Sequence, residues 1–221
     1  MLAKFTDRSG GVSQGPFRSF NLGDHVDDSP TDVQSNREIL RAQHGAVQFM
    51  NQVHGSRIAI IESVTDEIPT ADALVTGISG ITLAVMVADC IPLLLSSTEV
   101  VAAVHVGRRG LVNGVAVKTV DLMREMGASN IDAFIGPAIC GRCYEVSPEV
   151  QDEVLALHPL AISQTAAGTP ALDLSKALKA ALNAVGITRI SDEEICTVES
   201  SDHFSYRRDG VTGRQVGLVS L

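Results

Sequence analysis

Basic residues are scarce in this chain: 17 Lys and Arg stand against 26 Asp and Glu, a formal charge of −9. A broad nucleic-acid-binding face needs a net basic patch, so nucleic acid is not an expected partner and the arginines matter where they cluster. Cysteines are few as well, at Cys90, Cys140, Cys143 and Cys196. That is too few for a disulfide scaffold in a chain of 221 residues, which is long enough to bury a large core without staples. The N-terminus lacks the basic, apolar and small-residue succession of a secretory signal, so reduced thiols and a cytoplasmic location are expected. Apolar runs are short, since Ile81 to Ala88 stops at Asp89, well below the roughly 20 residues that span a bilayer; no membrane partner is expected. No internal repeat or low-complexity linker interrupts the chain, and one domain over residues 1–221 is the expectation.

What the chain does have is two apolar, β-branched runs, Ala84–Leu95 and Val100–Val106, each broken by reactive side chains: Asp89-Cys90 in the first and His105 in the second. A core strand gains nothing from such residues. If the two runs pair, Cys90 and His105 face one pocket, which His54, at the end of the alternating stretch Val47–Val53, is placed to join. A lone histidine at a strand end is more often a hydrogen-bonded structural residue, so the three are weighed together. Further strands are expected at Arg57–Ile61, Ala71–Thr76, Ile131–Ile135, Ile195–Val198 and Gly213–Val219, with turn chemistry around Asp66 and Pro69. Pro92 is expected at an edge or bulge, because it cannot donate to a ladder. Helices are expected from Ser29-Pro30 to Gly45, from Leu111 to a stop at Gly127, after Ser147-Pro148, and finally from Leu174 to Val185.

Gly107-Arg108-Arg109-Gly110 would lie between a strand and a helix, where main-chain donors and the helix's positive end favour an anion; solvated arginines at a turn are the plainer reading. Tyr206-Arg207-Arg208 is a second basic spot, suited to a phosphate, a carboxylate or an aromatic base. Cys140 and Cys143 have the spacing of a redox pair or a zinc half-site, but no second such pair completes four ligands. For Cys90, His54 and His105 two readings stay open. Either they bind zinc with one position left for water, or Cys90 is a nucleophile with His105 as its base and an acid such as Asp89 orienting the imidazole.

Asn51-Gln52-Val53-His54-Gly55, Ala71-Asp72-Ala73-Leu74-Val75-Thr76, Ala88-Asp89-Cys90-Ile91-Pro92-Leu93-Leu94, His105-Val106-Gly107-Arg108-Arg109-Gly110, Gly136-Pro137-Ala138-Ile139, Tyr144-Glu145-Val146 and Phe204-Ser205-Tyr206-Arg207-Arg208-Asp209-Gly210 resemble, in order, the YfiH-like laccase-domain family. The likeness runs from Gly10-Gly11-Val12-Ser13 to the C-terminus. It implies a single α/β (α+β) domain of mixed β-sheets flanked by helices in a four-layer α-β-β-α arrangement, and a metal, zinc or else copper, at His54, Cys90 and His105. Members have been described as purine nucleoside phosphorylases that also deaminate adenosine and cleave methylthioadenosine, as peptidoglycan-editing factors, and as copper-dependent polyphenol oxidases. One departure is visible: Arg108 stands where the family usually has Trp in His-x-Gly-Trp-Arg-Gly, which bears on pocket shape and substrate preference.

Chemistry separates these activities in part. Deaminating adenosine needs a metal-activated water and a proton donor, for which Asp89 or Glu199 is the candidate beside the metal residues. Phosphorolysis needs phosphate held against the anomeric carbon, for which Arg109, Arg207 and Arg208 are the candidates, with Asn21 for sugar or base. An amidase acting on a peptidoglycan precursor would use the same metal or Cys90. A polyphenol oxidase is disfavoured, because only His25, His44, His158 and His203 remain for further copper. A non-enzymatic metal-binding module is the alternative of a different class. The expectation is a zinc enzyme acting on purine nucleosides and phosphate: catalytic Cys90, His105, Asp89 and Arg109; substrate-binding Asn21, Glu199, Arg207 and Arg208; metal ligands His54, Cys90 and His105. Its oligomeric state stays open.

Overall fold

A computed structural model describes residues 2–65 and 67–221; Asp66, part of an expected turn, lies outside them. In chain order the strands are β1 (Leu2–Phe5), β2 (Ala46–Gln48), β3 (Ile58–Ile60), β4 (Ala73–Thr76), β5 (Ile81–Val87), β6 (Ile91–Ser96), β7 (Val101–Val106), β8 (Asp132–Ile135), β9 (Ile162–Gln164), β10 (Pro170–Leu172), β11 (Ile190–Asp192) and β12 (Gln215–Ser220). The helices are α1 (Pro30–His44), α2 (Arg108–Val112), α3 (Val115–Glu125), α4 (Pro148–Leu155), α5 (Leu174–Ala184) and α6 (Tyr206–Asp209).

β5 is buried at every residue because each of its faces meets a different layer. Ala84 and Met86 pack with Leu40 of α1 and Val47 of β2, whereas Leu83, Val85 and Val87 meet Leu74, Leu94, Val101 and Ala103 of a second sheet. The period of two along a strand produces this division. The far face of the second sheet, with Leu93, Leu95, Ala102 and Val104, carries Val115, Val120 and Met123 of α3 and Leu178 and Leu182 of α5. The layers therefore run α-β-β-α. One sheet has the order β1-β12-β5-β2, the other β11-β8-β6-β7-β4-β3, and both are mixed.

Local chemistry sets the helix ends. The side chains of Ser29, Ser147 and Asp173 each accept the N–H three residues on, at Asp32, Val150 and Lys176, an N-cap contributing about 1 kcal/mol. The helix expected from Leu111 to Met126 is two helices, because Gly114 takes a left-handed conformation at φ 70° between α2 and α3. Gly107-Arg108-Arg109-Gly110 is not a turn: Gly107 precedes α2, and both arginines lie within it. A further short helix, α6, follows the one expected to be last, and it contains Tyr206, Arg207 and Arg208. Ile195–Val198 contributes only a bridge between Cys196 and Ala138, the strand having ended at Asp192.

Pro92 is in a central strand rather than at an edge, paired with His105. Its carbonyl accepts from Gly136 N at 3.1 Å, on the β8 side, and the β6–β8 register reaches only Leu93 and Ile135. The N–H that proline lacks is the one that would return this bond to Gly136 O, so the ladder ends at Leu93 and Ile135. Among the described residues, no helix is long and apolar enough to cross a membrane.

Candidate metal centre and its cavity

The pairing of β6 with β7 brings the two reactive runs together, with Ile91 opposite Val106 and Pro92 opposite His105. Along β7, Val101 and Ala103 point between the sheets, and the same alternation turns His105 to that side at the strand's end. Along β4 the intersheet residue is Leu74, and two positions earlier stands Asp72, fully buried. Ala73 pairs with Val104, so Asp72 sits across from His105. Its carbonyl accepts the His105 N–H at 2.8 Å, and its carboxylate oxygen Oδ1 lies 2.8 Å from His105 Nδ1.

The same carboxylate captures the loop that carries His54. Its oxygens accept from the backbone N–H groups of Val53 at 3.3 Å, His54 at 2.9 Å and Gly55 at 2.7 Å. The expected strand Val47–Val53 ends at Gln48: the chain leaves that sheet, bridges Asn51 to Thr70 and turns through His54 at φ 60°, where Asp72 holds it. One buried acid thereby orients both imidazoles. Sequence reasoning treated Asp72 only as part of a strand, although a carboxylate inside an apolar run is itself a signal.

Cys90 Sγ lies 3.8 Å from His54 Nε2, and the ligand atoms of His54, Cys90 and His105 all lie within 4.8 Å of one another. The two imidazoles meet edge-on at 76°, with ring centroids 4.7 Å apart. Tetrahedral zinc with ordinary Zn–S and Zn–N bonds separates S from N by about 3.6 Å, so the donor set fits a metal that takes thiolate and imidazole. Gly107 makes room for the cluster: a Cβ there would stand 2.9 Å from Cys90 Sγ and 3.1 Å from His54 Cδ2. Burial alone would raise the Cys90 thiol, but attraction to His105 and hydrogen bonds with both imidazoles outweigh it and bring the pKa to about 6. Burial likewise disfavours the His105 imidazolium, yet Cys90 and Asp72 hold it, raising its pKa to about 9.

A cavity of about 470 Å³ opens beside the cluster, lined by His25, Gln52, Asp89, Tyr144, Arg207 and Arg214 among others. Arg207 spans its wall, with Nη1 donating to Glu145 O at 2.8 Å and the guanidinium 5.1 Å from the Tyr144 ring centroid. Arg214 was missed from the sequence; it is half-buried and its Nη1 donates to Thr212 O and Gly213 O.

Several expected roles are redistributed. Asp89 does not orient His105, which is Asp72's partner. Asp89 Oδ1 accepts from Thr197 Oγ1 at 2.6 Å and Ser205 Oγ at 2.7 Å, and Oδ2 from Arg207 N at 2.6 Å, so it pins α6 to the cavity. Arg109 is exposed on α2 and does not line the cavity. The Arg208 guanidinium is spent on the carbonyls of Thr197, Ser200 and His203 and on the Asp209 carboxylate. Asn21 is fully buried and bonds Gly23, Asp28 and Arg214 N, shaping a loop rather than facing the cavity. Glu199 lies in a separate cluster with Cys140, Cys143 and Cys196.

Residues 2–221 match the family described as multi-copper polyphenol oxidoreductase laccase. The chain belongs to this family. It is 47% identical to a Streptomyces coelicolor protein named purine nucleoside phosphorylase, over 98% of this chain and 94% of that one. A Corynebacterium glutamicum protein of the same name is 44% identical, over 98% and 93%. Among solved structures, a Neisseria meningitidis member superposes with a TM-score of 0.90 at 37% identity, covering 98% of this chain and 92% of its own. The laccase-family fold expected from the motifs is thus the fold found, and enzymes are among the relatives by name.

Proposed function

We propose that this protein is a zinc-dependent purine nucleoside phosphorylase, acting on inosine, adenosine and methylthioadenosine, that also deaminates adenosine. The observation that carries this reading is one cavity shared by the His54, Cys90 and His105 cluster and the guanidinium groups of Arg207 and Arg214; the names of its relatives agree with it. Zinc held by the three side chains would supply a Lewis acid with one position left for water or substrate.

The remaining work falls to the chain. Arg207 and Arg214 bind the phosphate dianion through charge-assisted hydrogen bonds. Arg207 is already fixed by Glu145 O and the Tyr144 ring, so little side-chain freedom is lost on binding. Tyr206, 62% exposed on the cavity lining, offers a flat face for the purine. A phosphate oxygen then bonds to the anomeric carbon as the glycosidic C–N bond breaks, and the electron pair leaves with the base. The Tyr144 phenol, whose pKa burial pushes further up, stays neutral and faces the same cavity as a hydrogen-bond donor to the departing base. In deamination, water adds at C6 of adenosine and ammonia departs.

Zinc-loaded protein incubated with inosine and phosphate should yield hypoxanthine and ribose 1-phosphate, and with adenosine alone should release ammonia. Absence of both products would overturn the proposal. Of the remaining imidazoles, His25 lies on the cavity lining, whereas His158 Nε2 lies 3.2 Å from Leu111 O and His203 Nδ1 2.8 Å from Ser200 Oγ, both off it, which leaves one imidazole beside the cluster for further copper.

A further inference from the structure

The second half-site that Cys140-Gly141-Arg142-Cys143 lacks in sequence is present in space. Cys196-Thr197-Val198-Glu199 has the same two-residue spacing, with a carboxylate in the fourth place. The two segments are tied by a parallel bridge, in which Ala138 N donates to Ile195 O and Thr197 N to Ala138 O, both at 3.1 Å. Each half-site is a tight turn: Cys143 N and Tyr144 N both donate to Cys140 O at 3.0 Å, and Ser200 N donates to Cys196 O at 2.9 Å. The outcome is that three sulfurs and one carboxylate oxygen lie within 4.8 Å of one another.

We propose that Cys140, Cys143, Cys196 and Glu199 form a second metal site, structural in character and suited to zinc, that fastens two walls of the cavity together. Tetrahedral zinc bound by thiolate and carboxylate separates S from O by about 3.6 Å, and Cys143 Sγ stands 3.6 Å from Glu199 Oε1. Three thiolates exclude magnesium and calcium, which prefer oxygen. Four protein ligands close the coordination shell, the mark of a structural rather than a catalytic site. The backbone N–H of Cys140 points at Cys196 Sγ, 3.4 Å away, the kind of hydrogen bond that supports a charged sulfur. Four ionised ligands exceed the charge of one divalent ion, and Arg142, whose Nη2 is 3.5 Å from Glu199 Oε1, offsets part of the surplus.

The position gives the site its purpose. Cys143 precedes Tyr144, which lines the cavity and supports Arg207. Cys196 precedes Thr197, whose hydroxyl donates to Asp89. Ile139, before Cys140, donates its N–H to Asp89 O at 2.9 Å. A metal here would hold both segments in register around the phosphate-binding arginine.

Metal stoichiometry by mass spectrometry on the full chain, purified with zinc, tests this and separates it from the first site. Wild type should hold two equivalents, Cys90→Ser one, and Cys143→Ser one with a lowered Tm. Cobalt-substituted Cys90→Ser protein should show an intense thiolate-to-cobalt absorption that vanishes in Cys90→Ser/Cys143→Ser, a readout that survives even if Cys143→Ser alone folds poorly. One equivalent in wild type, lost in Cys143→Ser but kept in Cys90→Ser, would uphold this site and remove the metal from the proposed function. A Cys90→Ser protein without metal or thiolate-to-cobalt absorption, or a native disulfide among Cys140, Cys143 and Cys196, would overturn it.

Discussion

Asp72 Oδ1 stands 2.8 Å from His105 Nδ1, and the same carboxylate receives the backbone N–H groups of residues 53–55. Because Nδ1 is occupied, it is Nε2 of His105 that is presented to Cys90, and the pKa of Asp72 is lowered by His105 and by the backbone donors against the opposing effect of burial. Asp72→Asn removes the charge and turns one acceptor into a donor facing N–H groups. Zinc affinity, measured by competition with a chelator, should fall about 10–100-fold, as when other partners of metal-bound imidazoles are removed.

Gly107 has ordinary extended backbone at φ −84° and ψ −179°, so only space constrains it. Gly107→Ala puts a methyl 2.9 Å from Cys90 Sγ. The protein should fold with a nearly unchanged Tm yet lose about tenfold or more in zinc affinity, measured in the same competition assay.

The arginines should separate by role. Arg207→Ala and Arg214→Ala each remove a charged donor from the cavity, a loss of about 1.5–3 kcal/mol, so the KM for phosphate should rise roughly ten- to hundredfold. Arg208→Ala removes bonds to the carbonyls of Thr197, Ser200 and His203; it should lower the Tm instead. Steady-state kinetics with varied phosphate, alongside thermal unfolding, distinguishes the two outcomes.

Asp24 accepts from His25 and pairs with Arg37 at 3.1 Å, and these contacts bring its pKa from 3.8 to about 2 against the effect of burial. A folded-state pKa below the unfolded one stabilises the protein above pH 3.8 and ceases to do so as the pH falls through about 2. Because the side chain is 47% exposed, the gain is no more than about 1 kcal/mol. Asp24→Asn should therefore be slightly less stable than wild type to urea at neutral pH and equal to it near the lower limit of that range.

Much of the site was legible because it depends on strands whose residues are uniformly apolar, in which Cys90 and His105 stand out. That contrast marked Cys90 and His105 as one pocket if the two runs pair, with His54 placed to join them; the three together as metal ligands came from the family resemblance, since their spacing alone is not diagnostic. The arginines were harder to place. Arg109, Arg207 and Arg208 look alike in sequence, and their roles separate only when the fold turns Arg207 into the cavity, leaves Arg109 on the outer face of α2 and surrounds Arg208 with carbonyls. Asp72 was missed although a carboxylate inside an apolar run is itself a signal, because its partners His105 and the 53–55 backbone are distant in sequence; Arg214 was missed because only the fold brings it to the cavity wall. Cys196 and Glu199 complete the Cys140/Cys143 cluster only through a bridge between distant loops.

The central claim is that purine phosphorolysis depends on the metal cluster at Cys90. The most direct measurement is the rate of ribose 1-phosphate formation from inosine and phosphate by wild-type and Cys90→Ser proteins, each matched for fold by circular dichroism. The account predicts turnover in the wild type and a loss of at least about a hundredfold in Cys90→Ser, as when a catalytic metal loses a ligand. A folded Cys90→Ser protein that forms the product at the wild-type rate would contradict it.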